Sequence, residues 1–143
     1  MKYLLDTNVL SEIRKGKRAH QAVRAWAEQQ PLTSLAISVL TLLEIEIGIQ
    51  RIARSDHDQA DHLNAWLHQQ IHPRFKERIL LIDEAVIVQT AHLHVPDPAP
   101  ERDALIAGTA LAHRLIMVTR NTRDFARASN LKLFDPWAND WIH

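Results

Sequence analysis

Five short aliphatic runs punctuate this chain: Lys2–Leu5, Leu35–Val39, Ile79–Ile82, Leu115–Thr119 and, more weakly, Lys132–Phe134. They are apolar along their length rather than at alternate positions, the pattern of strands buried on both faces. Between them lie stretches with helical spacing. His20–Gln29 puts Val23, Trp26 and Ala27 on one face, and Leu42–Ala53 is apolar at near-helical intervals. Asp58–Ile71 carries Leu63, Trp66 and Leu67, and Ala104–Leu115 repeats Leu105, Gly108, Leu111 and Leu115. Strands alternating with helices predict an α/β fold with a parallel sheet covered on both faces. Two helical stretches between the second and third strands are more than a crossover needs, and predict a projecting helical hairpin.

With 143 residues, 46% of them hydrophobic, the chain can bury one core, so a single domain over residues 1–143 is expected. The absence of cysteine removes disulfides, thiolate zinc sites and thiol catalysis. No run approaches the roughly 20 apolar residues of a membrane span, and the expectation is a cytoplasmic chain with no membrane partner. Seventeen basic residues balance seventeen acidic ones. That argues against a surface basic throughout, but local clusters such as Arg14, Lys15, Lys17 and Arg18 can still line a site for phosphates.

The acidic residues carry the chemical information. Asp6 ends the first strand, and Glu44 sits in Thr41-Leu-Leu-Glu44, which reads as a capping box with Thr41 at the N-cap. Asp103 falls in the first turn of its helix, and Asn121-Thr-Arg-Asp124 follows the fourth strand in another capping pattern. Singly, each is an ordinary helix-start residue. In a parallel sheet, however, the strand ends and the starts of the crossover helices share one edge, where open α/β sheets hold their sites. If strands one, two and four are neighbours, spaced by about 4.8 Å, the acids converge. Such a cluster needs protons or a cation, and all-oxygen donors favour Mg²⁺ or Mn²⁺. Asp83 and Glu84, after the third strand, read instead as an acidic helix start too far out to join.

Four motifs occur in order across nearly the whole chain: LLDTNVLSE at the start, SVLTLLEIEIG at Ser38–Gly48, DALIAGTALAH at Asp103–His113, and VTRNTRDF at Val118–Phe125. Together they resemble the PIN-domain family, in particular its VapC-type ribonuclease toxins. The hairpin and the closing Phe134-Asp-Pro-Trp137 resemble the FitB-like branch. The resemblance implies a three-layer α/β/α sandwich with strand order 3-2-1-4-5. It implies that Asp6, Glu44 and Asp103 are metal-binding catalytic acids, with Asp6 and Asp103 as direct ligands of Mg²⁺. Relatives carry Asp where this chain has Asn121, so Asn121 and Asp124 are both candidates for the fourth place. Asn8 and a hydroxyl such as Thr119 are expected to orient a carboxylate. The implied partners are an RNA substrate, a DNA-binding cognate antitoxin and a second copy of the chain, with Trp66, Trp137 and Trp141 available for interfaces.

Other readings use the same residues. A non-hydrolytic Mg²⁺-binding or phospho-acceptor module would want a lysine at a strand end, and none stands there. A D-x-D phosphatase is disfavoured because Asn8 occupies the third position, whereas DNA in place of RNA remains open within the resemblance. His68 and His72 have zinc-compatible i, i+4 spacing, but two ligands do not close a site.

Overall fold

The computed structural model describes residues 1–142. Its sheet runs β3-β2-β1-β4-β5-β6, where β1 is Tyr3–Leu5, β2 Leu35–Ser38, β3 Ile79–Leu80, β4 Ile116–Val118, β5 Leu133–Asp135 and β6 Asp140–Ile142. The first five strands are parallel, in the expected order 3-2-1-4-5. Register places Leu4 between Ala36 and Met117, so the three central strands end at one level.

Alternation along these strands builds the two halves of the core. Tyr3, Leu5, Leu35, Ile37, Val118 and Phe134 pack to one side; Leu4, Ala36, Leu80, Met117 and Leu133 pack to the other. The first side is covered by α1 (Thr7–Arg14), α2 (Gln21–Gln29), α3 (Val39–Ala53), α4 (His57–Trp66) and α5 (His72–Phe75). The second is covered by α7 (Glu101–Ala112), through Ile106, Ala107 and Ala110, with α6 (Glu84–Leu93) beside it. The result is the α/β/α sandwich.

The hairpin is present and longer than expected. α3 turns at Arg54–Asp56 into α4, which continues through a π-helical turn at Leu67–Ile71 into α5. Trp66 and Trp137 pack against the core, whereas Trp141 is 53% exposed and stacks on Phe134. Pro96–Pro100 forms the loop before α7, to which Arg127 is tied by hydrogen bonds to the carbonyls of Asp97 and Pro98.

Three local expectations are corrected. Thr41 does not cap α3: the helix starts three residues earlier, with Ser38 Oγ accepting from Leu40 N at 3.0 Å. The last residue of β2 is already extended and can turn its hydroxyl onto the helix start; Thr41 is inside the helix, fully buried and, among the described residues, without a hydrogen-bond partner for its hydroxyl. Asn121 precedes a 3₁₀ turn (Thr122–Phe125) without a side-chain cap, because the Asp124 N–H that its side chain would take is bonded to the Asn121 carbonyl at 3.0 Å; its own N–H goes to Thr119 Oγ1. Finally, β6 was not foreseen. It returns antiparallel to β5 through a turn in which Asp135 Oδ1 accepts from Trp137 N and Asn139 adopts φ 51°, a left-handed conformation Asn tolerates.

Candidate active site

The central strands converge as the site requires. Asp6 extends β1 by one residue, and its N–H donates to Val118 O, at the end of β4, at 2.9 Å. Asp6 is buried, at 8% exposure, and both carboxyl oxygens are engaged. Oδ1 accepts from Thr7 N at 2.9 Å, capping α1, while Oδ2 accepts from Thr119 Oγ1 at 2.8 Å. Asp6 therefore caps α1 through Oδ1 while Oδ2 faces Thr119, so the cap leaves it open to a site role.

Thr119 is the hub. Its fully buried hydroxyl donates to Asp6 and accepts from Asn121 N at 3.0 Å and from Asn8 Nδ2 at 3.4 Å. Asn8 Oδ1 in turn accepts from Arg120 N at 3.5 Å. One hydroxyl thus locks the end of β1, the first turn of α1 and the segment after β4 into one arrangement. A second hydroxyl, Thr7 Oγ1, donates to Glu44 Oε1 at 3.1 Å and ties α3 to the same place. Thr7 was not singled out in the sequence; the signal was a hydroxyl immediately after Asp6, at the first helical position, with nothing local to bond.

Asp103, in the first turn of α7, and Asp124, in the 3₁₀ turn, line a common recess with Pro100, Phe125 and Arg127. Electrostatics link them to the others. Burial pushes the Asp6 carboxyl above its ordinary value, against the pull of the Thr119 and Thr7 hydrogen bonds, and Asp124 adds repulsion. Burial also raises Glu44, with repulsion from Asp6 and Asp103 partly offset by Thr7 and Arg102. Asp103 is raised by burial and then by Asp124 and Asp6. Asp6, Glu44 and Asp103 are thus each raised first by burial and then by at least one neighbouring carboxylate. Asp83, by contrast, simply caps α6 by accepting from Val86 N at 3.0 Å.

Among the described residues, no three His, Cys, Asp or Glu side chains already stand together closely enough to enclose an ion. The donor chemistry nonetheless suits one. Asp6, Glu44 and Asp103 are oxygen donors held partly out of water beside other carboxylates, which is the situation a hard divalent cation relieves. The histidine pair has no such support: His68 Nε2 faces Glu46 at 3.3 Å. The basic cluster lies elsewhere, with Arg14, Lys15 and Arg18 lining a cleft of about 590 Å³ against Trp66, Arg74 and Phe75, which none of the site acids reaches.

The raised carboxyls set a pH dependence. Between the ordinary values, 3.8 for Asp and 4.5 for Glu, and the higher values of the folded chain, the folded state holds more protons than the unfolded one. Its metal-free stability is therefore greatest below that window, as far as these groups are concerned, and declines as pH rises through it. Urea denaturation in EDTA should show this acid-side gain, and Asp103→Asn should shrink it. An identical pH profile in the variant would mean Asp103 is not strained by its neighbours.

Residues 3–131 match the PIN domain, and the chain is a member of the PIN-domain family, related to the VapC/FitB-type toxin–antitoxin ribonucleases. Toxin FitB of Neisseria gonorrhoeae is 34% identical over 140 residues, covering 94% of this chain and 97% of that protein. The VapC ribonuclease Y4jK of Sinorhizobium fredii is 29% identical over 139 residues, covering 94% and 96%. Among solved structures, that of FitAcB from Neisseria gonorrhoeae superimposes with a TM-score of 0.85 at 31% identity, covering 94% of this chain and 98% of that one. The structure of FitAB bound to an IR36 DNA fragment gives the same score at 29% identity, covering 99% of both chains. Among the described residues no helix is long and apolar enough to cross a membrane.

Proposed function

We propose that this chain is a Mg²⁺-dependent endoribonuclease and the toxin of a type II toxin–antitoxin pair. The observation that carries the reading is the set of coupled acids at the sheet edge, with Asp6 held by two hydrogen bonds, in a chain similar end to end to a toxin and to a VapC ribonuclease. Asp6, Asp103 and Glu44 would hold Mg²⁺, or Mn²⁺ in its place. Bound there, the ion supplies an activated water and offsets charge on the phosphoryl oxygens.

The chain's own residues set up that chemistry. Thr119 and Thr7 fix the Asp6 carboxylate in one rotamer and leave a lone pair on each oxygen for further contacts. Asn8 and the Asn121 N–H saturate the Thr119 hydroxyl, so its proton is committed to Asp6. Asp124, which repels both Asp6 and Asp103, is a better fourth acid than the uncharged Asn121. Arg102, at the start of α7, moderates the charge of Glu44 and Asp103. Products with 5′-phosphate and 3′-hydroxyl ends are expected. The similarity to a chain solved as FitAB bound to a DNA fragment supports a DNA-binding antitoxin as partner, and the proposal includes a homodimeric toxin.

Thr119→Val tests the positioning argument. It keeps shape and removes the donor, so cleavage of a mixed RNA pool should fall by about 10- to 100-fold, with a weaker apparent affinity for Mg²⁺. Saturating Mg²⁺ should recover part of the loss. Unchanged cleavage and unchanged Mg²⁺ dependence would show that Asp6 needs no such support.

A further inference from the structure

Arg120 follows the Thr119 hub directly, and its own N–H is bonded to Asn8, so its backbone is fixed beside the acids. Its guanidinium lies over the indole of Trp137, 5.2 Å from the ring centroid. Trp137 is half-buried against the core, and its backbone N–H is held by Asp135 Oδ1 at 2.8 Å, so the stack has a firm base. Arg120 itself is exposed, and among the described residues its guanidinium has no hydrogen-bond or ion-pair partner.

Other arginines differ from it. Arg78, over Phe75, uses its donors on the carbonyls of Leu35 and Arg74, and Arg127 uses its donors on Asp97 and Pro98. Arg14 also stacks on an indole, that of Trp66, but in the cleft the acids do not reach. Arg120 combines an oriented planar cation, unspent donors and a place one residue from the hub. A guanidinium plane offers a nucleobase a stacking surface while its edge donates to phosphate.

We propose that Arg120 and Trp137 form a stacking station for the nucleobase next to the scissile phosphate. The station rests on the ribonuclease reading and adds to it a binding subsite outside the acids. Trp137 orients the guanidinium; Arg120 stacks on the base and donates to the adjoining phosphate. The base contributes through its π-face, so the station favours a nucleotide with a base over one without, whatever the sequence.

The test is binding by the full-length chain in EDTA, so that RNA is not cut, using a 12-nucleotide oligoadenylate and an abasic ribose-phosphate 12-mer carrying the same charge. The wild type should bind oligoadenylate about tenfold more tightly than the abasic strand. Arg120→Ala should bind both equally and show a shallower salt dependence. Arg120→Lys should keep the salt dependence but lose the preference, which a merely structural arginine would not do. Because Trp137 packs on the core, its replacement by Leu is secondary, and the exposed Arg120 carries the test. If Arg120→Ala keeps the preference, or a wild type that cuts RNA in Mg²⁺ binds the two strands equally or not at all, the station is wrong. If the wild type neither cuts RNA nor binds either strand, the ribonuclease reading itself fails.

Discussion

Asp6→Asn will leave the chain folded and reduce RNA cleavage by about a hundredfold or more, and Asp103→Asn will do the same. The Asp6 carboxylate accepts one hydrogen bond on each oxygen. An amide can accept only one of these, and the Thr119 hydroxyl already accepts from Asn8 and Asn121, so one bond is lost. That costs about 1 kcal/mol. Against it stands the relief of burying a charge beside other carboxylates, which acts in the opposite direction. Stability in EDTA should consequently change by no more than about 1 kcal/mol, while activity collapses. Mg²⁺ should raise the melting temperature of the wild type and leave that of Asp6→Asn unmoved. A variant that cut RNA at the parental rate would remove Asp6 from the mechanism.

The second large effect falls on stability. Replacing glycine by alanine inside a helix ordinarily stabilises it by about 1 kcal/mol. At Gly108, in the middle of α7, the sign reverses. A Cβ there would collide with Thr90 Oγ1 on α6 and lie 3.1 Å from both Thr90 N and Val86 O. Thr90 cannot simply swing aside, because its hydroxyl is buried and donates to Val86 O at 2.7 Å. Gly108→Ala should lose about 1–3 kcal/mol as α6 and α7 are forced apart. Adding Thr90→Ala should restore part of the loss and not all, since the two backbone contacts remain. Urea denaturation of the single and double variants measures both terms. A single variant as stable as the parent would mean the helices can separate at no cost.

The effects have different origins, and they mark what the sequence made legible. Continuous apolar runs such as Leu35–Ile37 and Met117–Val118 announce strands buried on both faces, and these do form the centre of the sheet. β6 was invisible for the same reason: Asp140 and Trp141 are exposed at the sheet edge, so no apolar run marks them. The acids were legible as residues because each stands where a strand ends or a helix begins. Their convergence was not, since strand adjacency depends on tertiary pairing; the family resemblance supplied the order that the residues alone left open. Thr41 misled because Ser and Thr both make caps, and only the extended backbone at Ser38 decides which hydroxyl meets the free N–H. The Thr7–Glu44 and Thr119–Asp6 bonds span 37 and 113 residues, a separation at which local pattern has nothing to say.

The most direct measurement is the fate of a mixed RNA pool incubated with the purified chain, free of any antitoxin, in Mg²⁺ and in EDTA. Endonucleolytic cutting is expected in Mg²⁺ alone, leaving 5′-phosphate and 3′-hydroxyl ends. Equal cutting in EDTA would contradict the role given to the acids, and a folded chain that binds Mg²⁺ yet cuts no RNA would contradict the ribonuclease reading.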